Sequence, residues 1–340
     1  MTITILTKES EHVGNYLLSD VADVAMDRLA TVVHRTPMLR SATTNALVGK
    51  HVYFKMENQQ KTGAFKFRGA SFKLMQLSDE QLQNGVIAAS AGNHAQGVAN
   101  AAAKLNAKAT IFMPEKTPAA KVNATRAYGA EVVLTGESFQ EAYEASMKRQ
   151  MQTGAEYIHP FDDYDVMAGQ GTIATEMLQQ EDRIDTIIVP VGGGGLISGI
   201  ATAVKYKNPH VKVIGVQAAG ASAMYKSYCH KQVTRLDKVS TIAEGIAVKK
   251  PGERTLPLIR RYVDDILTVS DEEIAAATVY MLERNKTLLE GAGAAALAAL
   301  FAHNSKINSE HCGIVVSGGN MDISTLPMIQ QLASKHHHSA

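Results

Sequence analysis

The sequence predicts an α/β protein of open, mainly parallel, twisted sheets with helices on both faces. Three observations carry that reading. Short Val- and Ile-rich runs recur along the 340 residues, and they are apolar throughout, as strands covered on both faces read. Ala-rich stretches of helical length and pattern lie between them, so the chain alternates strand and helix. The connections are irregular in length, which argues against a closed barrel.

In chain order, VYFKM (52–56), GVIAAS (85–90), ATIFMP (109–114) and EVVLT (131–135) are short, apolar and β-branched, and each reads as a strand. TIIVPV (186–191), VKVIGVQ (211–217), DILTVS (265–270) and GIVVSGG (313–319) continue the series. Helices are expected over 93–106, 137–154, 168–180, 196–207, 271–285 and 291–303, the last almost entirely alanine and leucine. No repeat, Pro-rich linker or low-complexity segment interrupts them. His336, His337 and His338 read as a solvated tail.

Lys and Arg number 34 against 33 Asp and Glu, a formal charge of +1, which excludes nucleic-acid or anionic-membrane binding driven by a broad basic surface. Only two cysteines occur, Cys229 and Cys312, too few for a disulfide framework and in no zinc-site spacing. The first ten residues lack the basic and apolar regions of a signal peptide, and no apolar run reaches the ~20 residues of a membrane span. A soluble cytoplasmic protein without metal is expected.

Open parallel sheets bind ligands beyond the carboxyl ends of their strands, and four strand ends or polar loops carry candidate chemistry. After the strand at 186–191 come Gly192, Gly193, Gly194 and Gly195, with a helix expected near Leu196. Side-chain-free residues let successive N–H groups converge, and a helix N-terminus adds positive potential, a combination that binds phosphate. The pattern is neither GxGxxG nor GxxxxGK[ST]. In KTGAFKFRGA (61–70), Lys66 lies between Phe65 and Phe67. Aromatic surroundings lower an ammonium's pKa and free a nucleophilic amine, although a lysine so flanked also snorkels to solvent. Ser90, Ala91, Gly92, Asn93 and His94 close the strand at 85–90 and open a helix. Their amides suit a carboxylate, with an N-cap by Ser90 or Asn93 as the plainer reading. Ser317, in SGGN, offers a neutral hydroxyl or a simple turn.

A lysine within TGAFKFRGA, then SAGNHAQG, GGGGL and SGGN, in that order, resembles the fold-type II pyridoxal-phosphate enzymes, and most closely the serine/threonine dehydratases. HRTPML (34–39), 114–132, AGQGT (168–172), AEGIAV (243–248) and LEGAGA (290–295) extend the likeness over nearly the whole chain. The resemblance implies two sheets of the tryptophan-synthase β-subunit type. A large cofactor-binding domain (1–75 and 158–340) would carry a small inserted domain (76–157), with no C-terminal regulatory domain. It implies pyridoxal 5'-phosphate (PLP) joined to Lys66, its phosphate on Gly192 to Gly195 and Leu196, Asn93 on the ring hydroxyl, Ser317 on the pyridine nitrogen and Phe65 against the ring. The substrate carboxylate would lie on Ser90 to His94. Ala64 departs from the Ser that many relatives carry before the Phe–Lys pair.

The implied reaction is β-elimination of L-threonine to 2-oxobutanoate and ammonia, with L-serine giving pyruvate, by a homodimer or homotetramer. Serine racemase and hydroxyaspartate dehydratase compete within the family. Relatives of that branch have a second serine where this chain has Ala91, and an acidic metal site where Gln217 to Ala223 holds no carboxylate. A non-catalytic anion-binding α/β protein is the reading from another class, and it gives no reason to place both Lys66 and Ser317. Glu290 and Glu244, each beside a glycine, are further candidates for the cofactor's surroundings.

Overall fold

The computed structural model describes residues 21–337, with side chains through Lys335. The first ten residues, where a signal peptide was sought, and His338 lie outside them. Ten strands follow the chain: β1 (Met38–Arg40), β2 (His51–Met56), β3 (Val86–Ala89), β4 (Ala109–Met113), β5 (Glu131–Leu134), β6 (Glu156–Tyr157), β7 (Thr186–Pro190), β8 (Lys212–Ala218), β9 (Asp265–Val269) and β10 (His311–Val316). They form two sheets, a six-stranded one in the order β1-β2-β10-β7-β8-β9 and a four-stranded one in the order β5-β4-β3-β6. Among the described strands only β1 is antiparallel to its neighbour. The apolar runs are the strands for the expected reason: β3, β4 and β7 are buried at every position. β5 is exposed at both ends and half-buried between, as an edge of its sheet.

The Ala-rich helix Gly291–Ala302 is buried over most of its length against the six-stranded sheet. Small residues let it approach closely: a Cβ at Gly293 would lie 2.2 Å from Gly318 O. The same device pins three further helices together. A Cβ at Gly169, in the helix Tyr164–Gln180, would stand 2.7 Å from Gly69 Cα in the helix Lys66–Leu74, and one at Gly199, in the helix Gly195–Lys207, would stand 2.0 Å from Met167 O.

Under that packing lies a closed ion cluster. Arg68, wholly buried, donates from Nε to Glu57 at 2.8 Å and from Nη1 to Glu176 at 2.7 Å, and Lys55 Nζ meets the same Glu176 at 2.6 Å. Each charge has its partner, as burial requires.

Several boundaries differ from expectation. The last strand starts at His311 and stops at Val316, because Gly318 turns to bridge Ala64 and the Gly319 amide donates to Gly63 O. The helix expected from 168 begins at Tyr164, where the Asp163 carboxylate accepts from the amides of Asp165 and Val166. The N-cap of the helix Asn93–Lys104 is Gly92, with no side-chain bond. Ser90 and Asn93 are therefore not its caps; Ser90 Oγ instead accepts from Gly92 N. The terminal histidine run begins inside a helix, Leu326–His337, rather than in a tail. No helix among the described residues is long and apolar enough to cross a membrane.

Candidate active site

Lys66 opens the helix Lys66–Leu74 with Phe65 as N-cap, and Phe65 N donates to Ser317 O at 3.1 Å. That bond and the Ala64–Gly318 bridge hold the lysine loop beside the end of β10. The half-buried Lys66 amine donates to Pro160 O at 2.6 Å and lies 5.2 Å from the Phe65 ring centre. Burial pulls its pKa down from 10.5 to about 8, against an opposing pull from Glu290. Roughly a tenth of the amine is therefore free at pH 7, far more than at the ordinary pKa.

Pro160 leads directly to Phe161, and Phe161 packs on the glycine loop. A Cβ on Gly193 would stand 2.5 Å from the Phe161 ring, and one on Gly195 would stand 2.7 Å from its backbone. Gly194 has φ +104°, in the left-handed region, and a Cβ there would meet Met224 and Thr255 at 2.7 Å. A Cβ on Gly192 would press on Ile246 and Val248 at 3.2 Å. Thr255 Oγ1 donates to Gly193 O at 2.8 Å, so the loop is also tied from behind. The helix begins at Gly195, one residue before Leu196, and its first turn leaves amides without intrahelical acceptors. Loop and lysine thus share one wall, made by Pro160 and Phe161.

The opposite wall comes from the four-stranded sheet. Asn93 Nδ2 donates to Glu290 Oε1 at 2.8 Å, and Asn320 Nδ2 donates to Asn93 Oδ1 at 2.8 Å. Burial raises the Glu290 carboxyl to about 7, with Asn93 pulling the other way. A Cβ at Gly97 would lie 3.1 Å from the Lys66 carbonyl carbon, so the helix behind Asn93 seats directly on the lysine's backbone. His94 is buried, its Nε2 lies 2.8 Å from Ile158 O, and burial followed by the Lys66 charge drops its pKa to about 3. It is a neutral packing residue. Ser317 Oγ, also buried, donates to Ala292 O at 3.3 Å. Glu244 is exposed and pairs with Lys121 at 2.7 Å, joining the segment after β8 to the helix after β4.

Phe65 is therefore bonded to Ser317 and Asn93 to Glu290, the Glu290 charge acts on Lys66, and Pro160 and Phe161 join the lysine to the glycine loop. The sequence reading missed the 160–162 segment. Asp162 accepts from the amides of Glu253, Arg254 and Thr255 and so anchors that wall. Among Gln217 to Ala223, Gln217 spends its side chain on Val191 O and Tyr225 N.

The donor set fits PLP. A partly buried amine of lowered pKa suits its aldehyde, a cradle too tight for any Cβ suits its phosphate, and a buried neutral hydroxyl suits its ring nitrogen. The site and the fold define the class: the chain belongs to the family of pyridoxal-phosphate dependent enzymes, whose model matches residues 29–318. It is 50% identical over 314 residues to an L-threonine ammonia-lyase of Geobacter sulfurreducens, covering 92% of this chain and 77% of that one. Among solved structures, the processed form of threonine deaminase isoform 2 from Solanum lycopersicum matches with TM-score 0.92 and 37% identity, over 98% of this chain and 92% of that one. Maize serine racemase matches with TM-score 0.88 and 39% identity, over 94% and 98%.

Proposed function

We propose that this chain is a threonine ammonia-lyase that converts L-threonine to 2-oxobutanoate and ammonia, and L-serine to pyruvate. The observation that carries the reading is the shared wall of Pro160 and Phe161, which sets the low-pKa Lys66 amine beside the glycine cradle. The similarity to a threonine ammonia-lyase over 92% of the chain supports the substrate.

Lys66 is the residue that carries PLP, Gly192 to Gly195 and Leu196 take its phosphate, Asn93 its ring hydroxyl and Ser317 its ring nitrogen, with Phe65 beside the ring. Bound there, PLP supplies an electron sink for the pair released when a Cα–H bond breaks. Lys66 Nζ, once free, accepts the Cα proton; a pKa of about 8 suits a group that both takes and returns a proton near neutrality. The amides of Ser90 to His94 orient the substrate carboxylate, with Asn93 held in place by Glu290 and Asn320. Ser317 would meet the ring nitrogen with a neutral hydroxyl and so bring no charge to it. Residues 76–157, which contain the whole four-stranded sheet, act as a small domain on a large one made of 1–75 and 158–340. A homo-oligomer in the cytoplasm is part of the same reading.

The test is 2-oxobutanoate release from L-threonine by cofactor-loaded protein. Lys66→Ala is expected to abolish turnover, and a variant that keeps wild-type turnover would sink the assignment. The likeness to maize serine racemase favours a second reading, racemisation of L-serine. Ala91 offers no proton donor for it, so D-serine formation much slower than pyruvate release is expected.

A further inference from the structure

We propose that His51, His311 and Glu310 form a binding site for a borderline divalent transition metal of the Zn2+ class, at the amino-terminal end of the six-stranded sheet. The site is remote from the chemistry. His311 begins β10, and six residues of strand, ~20 Å at ~3.3 Å each, separate it from Ser317.

Topology makes the cluster. β2 and β10 are parallel neighbours in a register that pairs His51 with His311. One ligand atom from each of His51, His311 and Glu310 lies within 4.8 Å of the others. The two imidazole rings stack with centroids 4.7 Å apart, and Glu310 Oε1 is 3.9 Å from His311 Nε2. The backbone beneath is fixed: Asp185 Oδ2 accepts from Glu310 N at 2.8 Å and His311 N at 2.9 Å, and His51 N donates to Glu310 O at 2.8 Å.

A second layer orients the inner ligand. His311 Nδ1 lies 3.0 Å from the Tyr53 hydroxyl. With Nδ1 engaged by Tyr53, Nε2 is the ring nitrogen on the Glu310 side. Metal-bound histidines engage their second ring nitrogen in the same way. Two imidazoles and a carboxylate match a three-ligand zinc set with one open position, and they hold too few oxygens for Ca2+ or Mg2+. A cavity of about 230 Å³ lined by Asn45, Gly49, Lys50, His51 and Glu310 has room for water as the fourth ligand. Closing the ligand separation to the ~3.4 Å of a tetrahedral site requires the exposed His51 and Glu310 side chains to turn. Lys50 opposes the dication, so Lys50→Ala tightens binding.

The experiment titrates Zn2+ into the PLP-loaded full-length chain by calorimetry, then Co2+ by its visible absorption, in a background where His336, His337 and His338 are all alanine. One metal per chain is expected. His51→Ala or His311→Ala should weaken it at least about 10-fold, and Tyr53→Phe about 10-fold through ligand orientation alone, with turnover of L-threonine unchanged in each as the check on folding. A background chain that binds no Zn2+, or binding that survives the paired His51→Ala and His311→Ala substitutions, would overturn the proposal. Binding that disappears only with the terminal histidines would do the same.

Discussion

The loop at Gly192 to Gly195 and the loop at Ser90 to His94 lie at equivalent places, each at the carboxyl end of a parallel strand and the start of a helix, one in each sheet. They are built in opposite ways. A Cβ at Gly193 or Gly195 collides with Phe161, whereas a Cβ at Gly92 meets nothing within 4 Å. The first loop is a mould with its shape set by a ring; the second leaves open space at Gly92. Such a difference suits a fixed cofactor group on one side and an exchanging substrate on the other. It teaches that similar strand–loop–helix connections diverge in role according to what packs behind them.

Four changes break or sharpen this contrast. The largest effect should come from Arg68→Leu, on the packed side. It strands Glu57 and Glu176 without their buried partner, so unfolding free energy should fall by about 3–5 kcal/mol in denaturant titration. Gly193→Ala should then weaken PLP retention by about 10- to 100-fold in dialysis, since forcing a methyl into a packed site costs about 1–3 kcal/mol. The third concerns the lysine between the loops. With a pKa of about 8, the free-amine fraction of Lys66 rises about tenfold from pH 7 to pH 9, and the rate at which cofactor-free protein takes up PLP should rise with it. The sign for stability follows from the same shift. The folded pKa lies below the ordinary 10.5, so the penalty of burying the ammonium is full below pH 8 and is relieved between about 8 and 10.5. The smallest effect belongs to Gly92→Ala. Its stability should stay within about 0.5 kcal/mol of wild type, with PLP retention unchanged and the cost confined to KM for L-threonine. Loss of cofactor in this variant would erase the contrast.

How much of this was legible in the sequence depends on the range of each contact. The glycine run and the aromatic-flanked Lys66 are local patterns, and their chemistry can be read from adjacent residues. Eight of the ten described strands were legible too, most of them as continuous apolar runs, whereas β1 and β6, three and two residues long, were too short to leave one. Phe161 was not: its partners at 193 and 195 are more than thirty residues away, and nothing in HPFDD announces a ring pressed on glycine. Arg68 was passed over inside the very motif that holds Lys66, since its burial depends on Glu57 and Glu176 arriving from other elements. The end of β10 was misplaced because the small residues Ser317 and Gly318 follow the apolar run with nothing bulky to mark its end, while their backbone turns away to meet Phe65 and Ala64.

The single ring of Phe161 constrains how the chain is able to vary. Residue 193 tolerates a side chain only after residue 161 has given up its ring, and that first step alone leaves a void beside the lysine's wall. Neither order of events passes through an undamaged intermediate. The two positions should therefore change together or not at all, one inherited unit split across two distant stretches of the gene.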